Sequence, residues 1–189
     1  MTNVSISVPN NIDGVYINVI TGATGTSSTT VPGYDLNPYN NGAGLTFFSA
    51  ASPGGTVANG TTSGTSAALD LSAGFVIGAT STFVTGQAVG TAFQVGGSHI
   101  VGFKFVNEAT GAVNYGYARI TTATGTGTGL GFPATITQLV YENTGASLTV
   151  AAAGGAVPEP ATWGMMILGF GMIGAAARKR SVKTTVKFA

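Results

Sequence analysis

The sequence predicts an all-β body, an antiparallel, jelly-roll-like β-sandwich, followed by a single C-terminal transmembrane-type α-helix. Three observations carry this prediction. Short alternating or β-branched runs recur through residues 1–151, each bounded by Gly, Asn or Pro. Nothing before Val157 shows the apolar period of an amphipathic helix. Trp163 to Ala177 is then an uncharged apolar run closed by Arg178, Lys179 and Arg180.

The elements follow in order. Val4, Ile6 and Val8 alternate with polar residues and end at Pro9-Asn10-Asn11, which predicts a strand. Val15 to Ile20 is β-branched and aromatic, a second strand, and Thr21 to Thr30 is a Gly/Thr/Ser loop. Tyr34 to Asn41 is read as turn-rich, Leu45 to Phe48 as a short strand and Ala50 to Ser66 as a long surface loop. Leu69 to Leu71, Phe75 to Ile77, Thr82 to Val84 and Ala92 to Val95 are short strand candidates. Ile100 to Ile120 is the clearest unit: Val101, Phe103 and Phe105 alternate, NEATGA turns the chain, and VNYGYARI returns as a hairpin. Thr121 to Gly131 is a loop, and Ile136 to Glu142 and Ser147 to Ala151 close the set around the turn Asn143-Thr144-Gly145. No fixed-period repeat points to a solenoid or propeller.

Composition narrows the class. Only 7% of residues are charged, against about a quarter in a typical soluble protein. With 30 glycines and polarity supplied by Thr, Ser and Asn, the chain suits an exported all-β protein better than a cytosolic enzyme. Five of the seven cations lie beyond Val157, so the body holds Lys104 and Arg119 against five carboxylates, a net of −3. A weakly acidic body has no footprint for nucleic acid. With no cysteine, disulfides, zinc–thiolate sites and thiol nucleophiles are excluded.

The tail has three readable parts. Pro158, Glu159 and Pro160 give a segment whose prolines fix φ and remove two donors, so it is extended. The apolar run, with Trp163, Met165, Met166, Ile167, Leu168, Phe170, Met172 and Ile173 as the membrane span, is about 23–25 Å long as a helix. That is short for a bilayer, so thinning or snorkelling by Trp163 and Arg178 is required. Its four glycines are poor in a soluble helix and common in membrane helices. Arg178, Lys179 and Arg180 are the topology signal, holding their end cytoplasmic and the body outside. Gly171 and Ala175 form a small-xxx-small pair, read as composition rather than as a helix-pairing motif. The organisation is therefore a body over 1–151, a Gly/Ala spacer over 152–157, a sorting and anchor segment over 158–180 and a basic cytoplasmic tail over 181–189.

Pro158-Glu159-Pro160, Trp163, the run Met165 to Gly174, Ala177 and the cation triplet together resemble the PEP-CTERM sorting signal of Gram-negative bacteria, in the variant with Trp after the Pro-Glu-Pro. The likeness covers about 25 of 189 residues. It implies recognition by an exosortase, an integral-membrane cysteine protease, with Pro158, Glu159, Pro160 and Trp163 as the sorting and processing motif. It also implies an exported, inner-membrane-anchored precursor that passes to the cell surface or is released, often alongside exopolysaccharide. NYGYARI and ITQLVYENTGASLTV resemble the closing strands of β-sandwich modules found ahead of such tails, as do IDGVYINVITGATG and VPGYDLNPY at the front; these carry no assigned activity. Such a protein begins with a signal peptide, and MTNVSISVPNNIDG has neither a cationic n-region nor an apolar h-region, so the signal is expected to be missing from this sequence.

Candidate chemistry in the body is sparse. His99, the lone histidine, cannot build a His-rich metal site and is read as a residue at the start of a strand. Asp13, Asp35, Asp70, Glu108 and Glu142 sit beside Gly, Asn or Thr and are read as turn residues bonding local backbone. A hydrolase would need two of them to converge, and five dispersed carboxylates would retire it. No acidic loop of calcium-binding pattern is present. Tyr16, Tyr34, Tyr39, Tyr115, Tyr117 and Tyr141 are read mainly as packing residues, with a sugar-stacking platform as the alternative. Gly125-Thr126-Gly127 lacks the ending of a phosphate loop.

The expectation is a non-enzymatic envelope or matrix protein with no catalytic residues, no metal and no cofactor. Its partners are the membrane, an exosortase-type protease and exopolysaccharide, and not nucleic acid. The alternative is a carbohydrate-binding module with a membrane anchor.

Overall fold

A computed structural model describes residues 2–50, 53–152 and the single position 170. By its contacts the chain divides into Met1–Ala152 and Ala153–Ala189. The body's strands are β1 (Thr2–Val8), β2 (Tyr16–Ile17), β3 (Thr24–Gly25), β4 (Leu36–Asn40), β5 (Leu45–Ser49), β6 (Gly55–Val57), β7 (Val76–Ile77), β8 (Phe83–Val84), β9 (Gly97–Val106), β10 (Val113–Thr122), β11 (Ala134–Tyr141) and β12 (Leu148–Thr149). They form a six-stranded sheet β1-β11-β10-β9-β6-β8, a four-stranded sheet β3-β2-β4-β5 and a pair β12-β7, every strand pairing antiparallel.

The hairpin β9–β10 is the centre of the six-stranded sheet, in register from Val106↔Val113 to Gly97↔Thr122 without a shift. Its alternation gives it two apolar faces. Val101, Phe103 and Phe105 with Ala118 and Ile120 enter a core completed by Ile17, Leu36, Leu45 and Phe47 of the four-stranded sheet. Ile100, Tyr115 and Tyr117 point the other way and are covered by Leu71, Ile77 and Val150. The hairpin is therefore buried on both faces, which is why nearly every residue from His99 to Phe105 is shielded. Each such large side chain contributes on the order of 1.5–3 kcal/mol by leaving water.

Two details keep this packing in phase. Between Arg119↔Gln138 and Ile120↔Ile136, β11 carries one extra residue, Thr137, so that Ile136 and Leu139 share the core although they are three positions apart. At Gly102 a Cβ would sit 2.7–2.9 Å from Leu71, Ile77 and Val57 side-chain atoms, so only glycine lets that layer close.

Several expectations need correcting. The strand expected over Val15–Ile20 stops at Ile17, because the Asn18 side chain accepts the Ile20 and Thr21 N–H groups and turns the chain. The turn-rich segment Tyr34–Asn41 contains β4, with Pro38 inside it. The Pro38 carbonyl accepts from Val15 N–H and the Phe47 carbonyl from Gln87 N–H, both away from the β4–β5 ladder. Pro38↔Phe47 is thus a non-hydrogen-bonded pair, where a missing donor costs that ladder nothing. The loops expected over 21–30 and 50–66 contain β3 and β6, the latter between β9 and β8. Leu69–Leu71 is extended but not a strand, docking through Leu69 N–H to Val57 O and Leu71 N–H to Ile100 O. Ala92–Gln94 is a 3₁₀ turn that inserts Phe93 edge-on against Phe47, not a strand.

Leu148–Thr149 pairs with β7 rather than returning along β11. Just beyond it, Ala151 is held on both sides: its N–H donates to Tyr117 Oη at 3.4 Å, and Arg119 Nη2 donates to its carbonyl.

Candidate functional site

Asp35 and Glu108 are 73 positions apart, and the fold places them on one cleft. Gly33, Tyr34, Asp35, Phe105, Val106 and Glu108 line a space of about 80 Å³, and a second space of about 500 Å³ shares Gly33 and Glu108 with it. Asn18 is the hub. Its amide nitrogen donates to the carbonyls of Pro32 and Gly33, at 3.2 and 2.9 Å, and to Glu108 Oε1 at 2.6 Å. Three loops are tied by one side chain. Gly33 lies beneath Glu108 with φ +67°, and a Cβ there would meet Oε1 at 2.0 Å.

Asp35 is 4% exposed, and its Oδ2 accepts the Val19 N–H at 2.8 Å. Burial pushes its carboxyl up to about 7 against the lowering effect of that N–H, and the Glu108 charge adds to the rise. No cation among the described residues relieves the pair: Lys104 lies over the Phe83 ring and Arg119 over Tyr117.

The tyrosines separate into two groups. Tyr115 and Tyr117 are buried, and Tyr141 packs edge-on against Phe105. Tyr16, Tyr34 and Tyr39 are half-buried, with Tyr16 meeting Tyr34 edge-to-face at 4.7 Å. Burial, then the neighbouring Tyr16, raises the pKa of both Tyr34 and Tyr39.

His99 lies in β9 and does not stand alone. Its Nδ1 is 2.7 Å from Asp70 Oδ2, its Nε2 is 3.2 Å from Val95 O, and Asp70 Oδ1 accepts the Ile100 N–H at 2.8 Å. Both ring nitrogens are occupied, so neither is free to take a proton from a nucleophile. The reading of the carboxylates as local turn residues therefore fails for Asp35, Asp70 and Glu108, which bond segments far away in sequence, and holds only in part for Glu142, whose Oε1 also accepts from Asn114 Nδ2 at 3.2 Å. Glu142 accepts from the Thr144 and Gly145 N–H groups and the Thr144 hydroxyl. Partial burial works upward on its pKa, but these bonds outweigh it and leave the carboxyl below its usual range. The dispersal that would retire a hydrolase is not observed, since Asp35 and Glu108 converge. No spacing motif announces that pair. The one local signal is Gly33-Tyr34-Asp35, a turn glycine leading two polar residues into a strand. Among the described residues no group of three or more His, Asp or Glu side chains gathers as a metal site would require.

The sorting residues Pro158, Glu159, Pro160 and Trp163, the span residues Met165, Met166, Ile167, Leu168, Met172 and Ile173, and Arg178, Lys179 and Arg180 lie outside the described residues. Of that stretch only Phe170 is described, in helical geometry. Among the described residues no helix is long and apolar enough to cross a membrane.

An antiparallel all-β body ahead of a Pro-Glu-Pro, apolar and cationic tail defines a protein with a C-terminal sorting signal. The family model of the PEP-CTERM protein-sorting motif matches residues 156–181, so the chain carries a PEP-CTERM sorting motif at its C-terminal end. The motif marks it for export, for membrane association before processing, and for sorting to the envelope by an exosortase. No curated protein and no solved structure matches the chain.

Proposed function

We propose that the body is a non-catalytic structural component of the cell envelope or extracellular matrix, associated with exopolysaccharide. The observation that carries this reading is the sorting motif over residues 156–181. A body with only two cations and five carboxylates and a core shared by two antiparallel sheets supports a passive, sandwich-type module. In this reading Trp163 to Ala177 spans the bilayer as a helix, Arg178 to Arg180 stay cytoplasmic, and the protease engages Pro158-Glu159-Pro160. A hydrolytic role is disfavoured by Asp35, which at 4% exposure cannot flank a glycosidic bond as paired carboxyls must.

The test is the intact mass of the protein from native cells with and without the exosortase. A mature C-terminus near Pro158 that depends on the protease supports the reading. A full-length chain that keeps Ala189 in the membrane fraction of both strains overturns processing and makes the tail a permanent anchor.

A second reading, a carbohydrate-binding module, is favoured by one observation. Tyr16, Tyr34 and Tyr39 gather at one place, and Tyr34 also lines the Asp35–Glu108 cleft.

A further inference from the structure

We propose that the cleft formed by Asp35, Glu108 and Tyr34 binds the protonated amine of an amino sugar, whose ring lies against Tyr34. This deepens the carbohydrate reading of the same cleft and rests on it.

The charge pattern is the first argument. Two carboxyl groups face one space, and the single salt bridge among the described residues, His99–Asp70, lies elsewhere. Asp35 is more than nine-tenths buried, yet only Oδ2 has a hydrogen-bond partner among the described residues, so Oδ1 is left for the cleft it lines. An acid so buried is normally paired or fully hydrogen-bonded. An incoming cation supplies the missing partner.

Shape and lining decide which cation. A calcium ion takes six to eight oxygen ligands, while this cleft offers two carboxylates between Tyr34 and Phe105. A primary ammonium needs only a few acceptors, and an aromatic wall suits the carbon framework that bears it. The group is also small enough to reach one open oxygen, which a glycosidic linkage is not.

The cleft is fixed before any ligand arrives. Asn18 and Gly33 seat Glu108, the Val19 N–H holds Asp35, and Tyr16 braces Tyr34. Glu108 Oε1 is taken by Asn18, and Oε2 has no partner among the described residues. The acceptors offered to an ammonium are therefore Asp35 Oδ1 and Glu108 Oε2.

The test uses the full chain in detergent micelles, titrated calorimetrically with a glucosamine tetramer and with its N-acetylated counterpart. The glucosamine oligomer is expected to bind at least about tenfold more tightly, as one charge-assisted hydrogen bond allows. Asp35→Asn and Glu108→Gln, which keep the acceptors for Val19 and Asn18, should each erase about that factor. Glu142→Gln, a remote loss of the same charge, should not. Equal binding of the two oligomers, or an equal effect of Glu142→Gln, overturns the amine site and leaves the carbohydrate reading standing. Lysine amide competing as strongly as the oligomer overturns the sugar assignment. If neither oligomer binds, both readings fall.

Discussion

Asp35 and Asp70 are the same residue in opposite circumstances. Asp70, about a third exposed, uses both oxygens, accepting from His99 on one and the Ile100 N–H on the other. Asp35, 4% exposed, uses one oxygen and faces another acid. The more buried carboxyl is the less satisfied. Asp70 is a clasp that ties the extended Leu69–Leu71 segment to β9. Asp35 stores an electrostatic cost that folding alone does not require.

Titration separates the two most sharply. The folded Asp35 carboxyl stays protonated up to about 7, whereas the unfolded one ionises near 3.8. Between those values the folded state holds the extra proton, so stability falls as pH rises through that window. At about 1.4 kcal/mol per pKa unit the loss approaches roughly 4–5 kcal/mol. Asp35→Asn should flatten this slope and exceed the wild type in stability above pH 7, measured as urea midpoints at pH 5 and pH 8. A wild type with no such slope would erase the contrast with Asp70.

Asp70→Ala should cost about 2–3 kcal/mol at neutral pH, because the buried His99 ring and the Ile100 N–H both lose their acceptor. The same urea midpoints report it, and a loss below about 0.5 kcal/mol would mean that the clasp holds nothing.

Gly33→Ala should cost about 1–2 kcal/mol, from its positive φ and from the collision with Glu108. In a double-mutant cycle, Glu108→Ala should recover the collision part and leave the φ part. Full additivity would show that Glu108 is not seated on Gly33.

Glu142 gives the smallest effect and the opposite sign. Its lowered pKa contributes stability above the unfolded value of about 4.5 that is lost as pH falls through the folded one. Because it is only partly buried and keeps an amide oxygen as acceptor, Glu142→Gln should cost only a few tenths of a kcal/mol at pH 7, seen as a small shift in thermal midpoint.

The legibility of the molecule follows the length of its patterns. The β9–β10 hairpin was plain because Val101, Phe103 and Phe105 repeat with period two before a Gly-containing turn. β6 was hidden, since Gly55-Thr56-Val57 lies in a Gly/Ser/Thr stretch and becomes a strand only because β9 offers a partner edge. β4 was masked by Pro38, whose missing donor matters only if it points at a ladder, and register decides that. The sorting tail was legible because a bilayer imposes length and charge rules on sequence directly. The Asp35–Glu108 pair was not, because it depends on Asn18 joining three loops across the chain.

The grip on Ala151 determines how the body bears a pull. Tyr117 and Arg119 belong to β10, an interior strand of the six-stranded sheet. Tension drawn through residue 152 is handed to the middle of that sheet, where many ladder bonds resist in shear. Without the grip the two-residue β12 would take the load first and unzip one bond at a time. A pull on residue 152 thus reaches an interior strand of the sheet before it reaches β12.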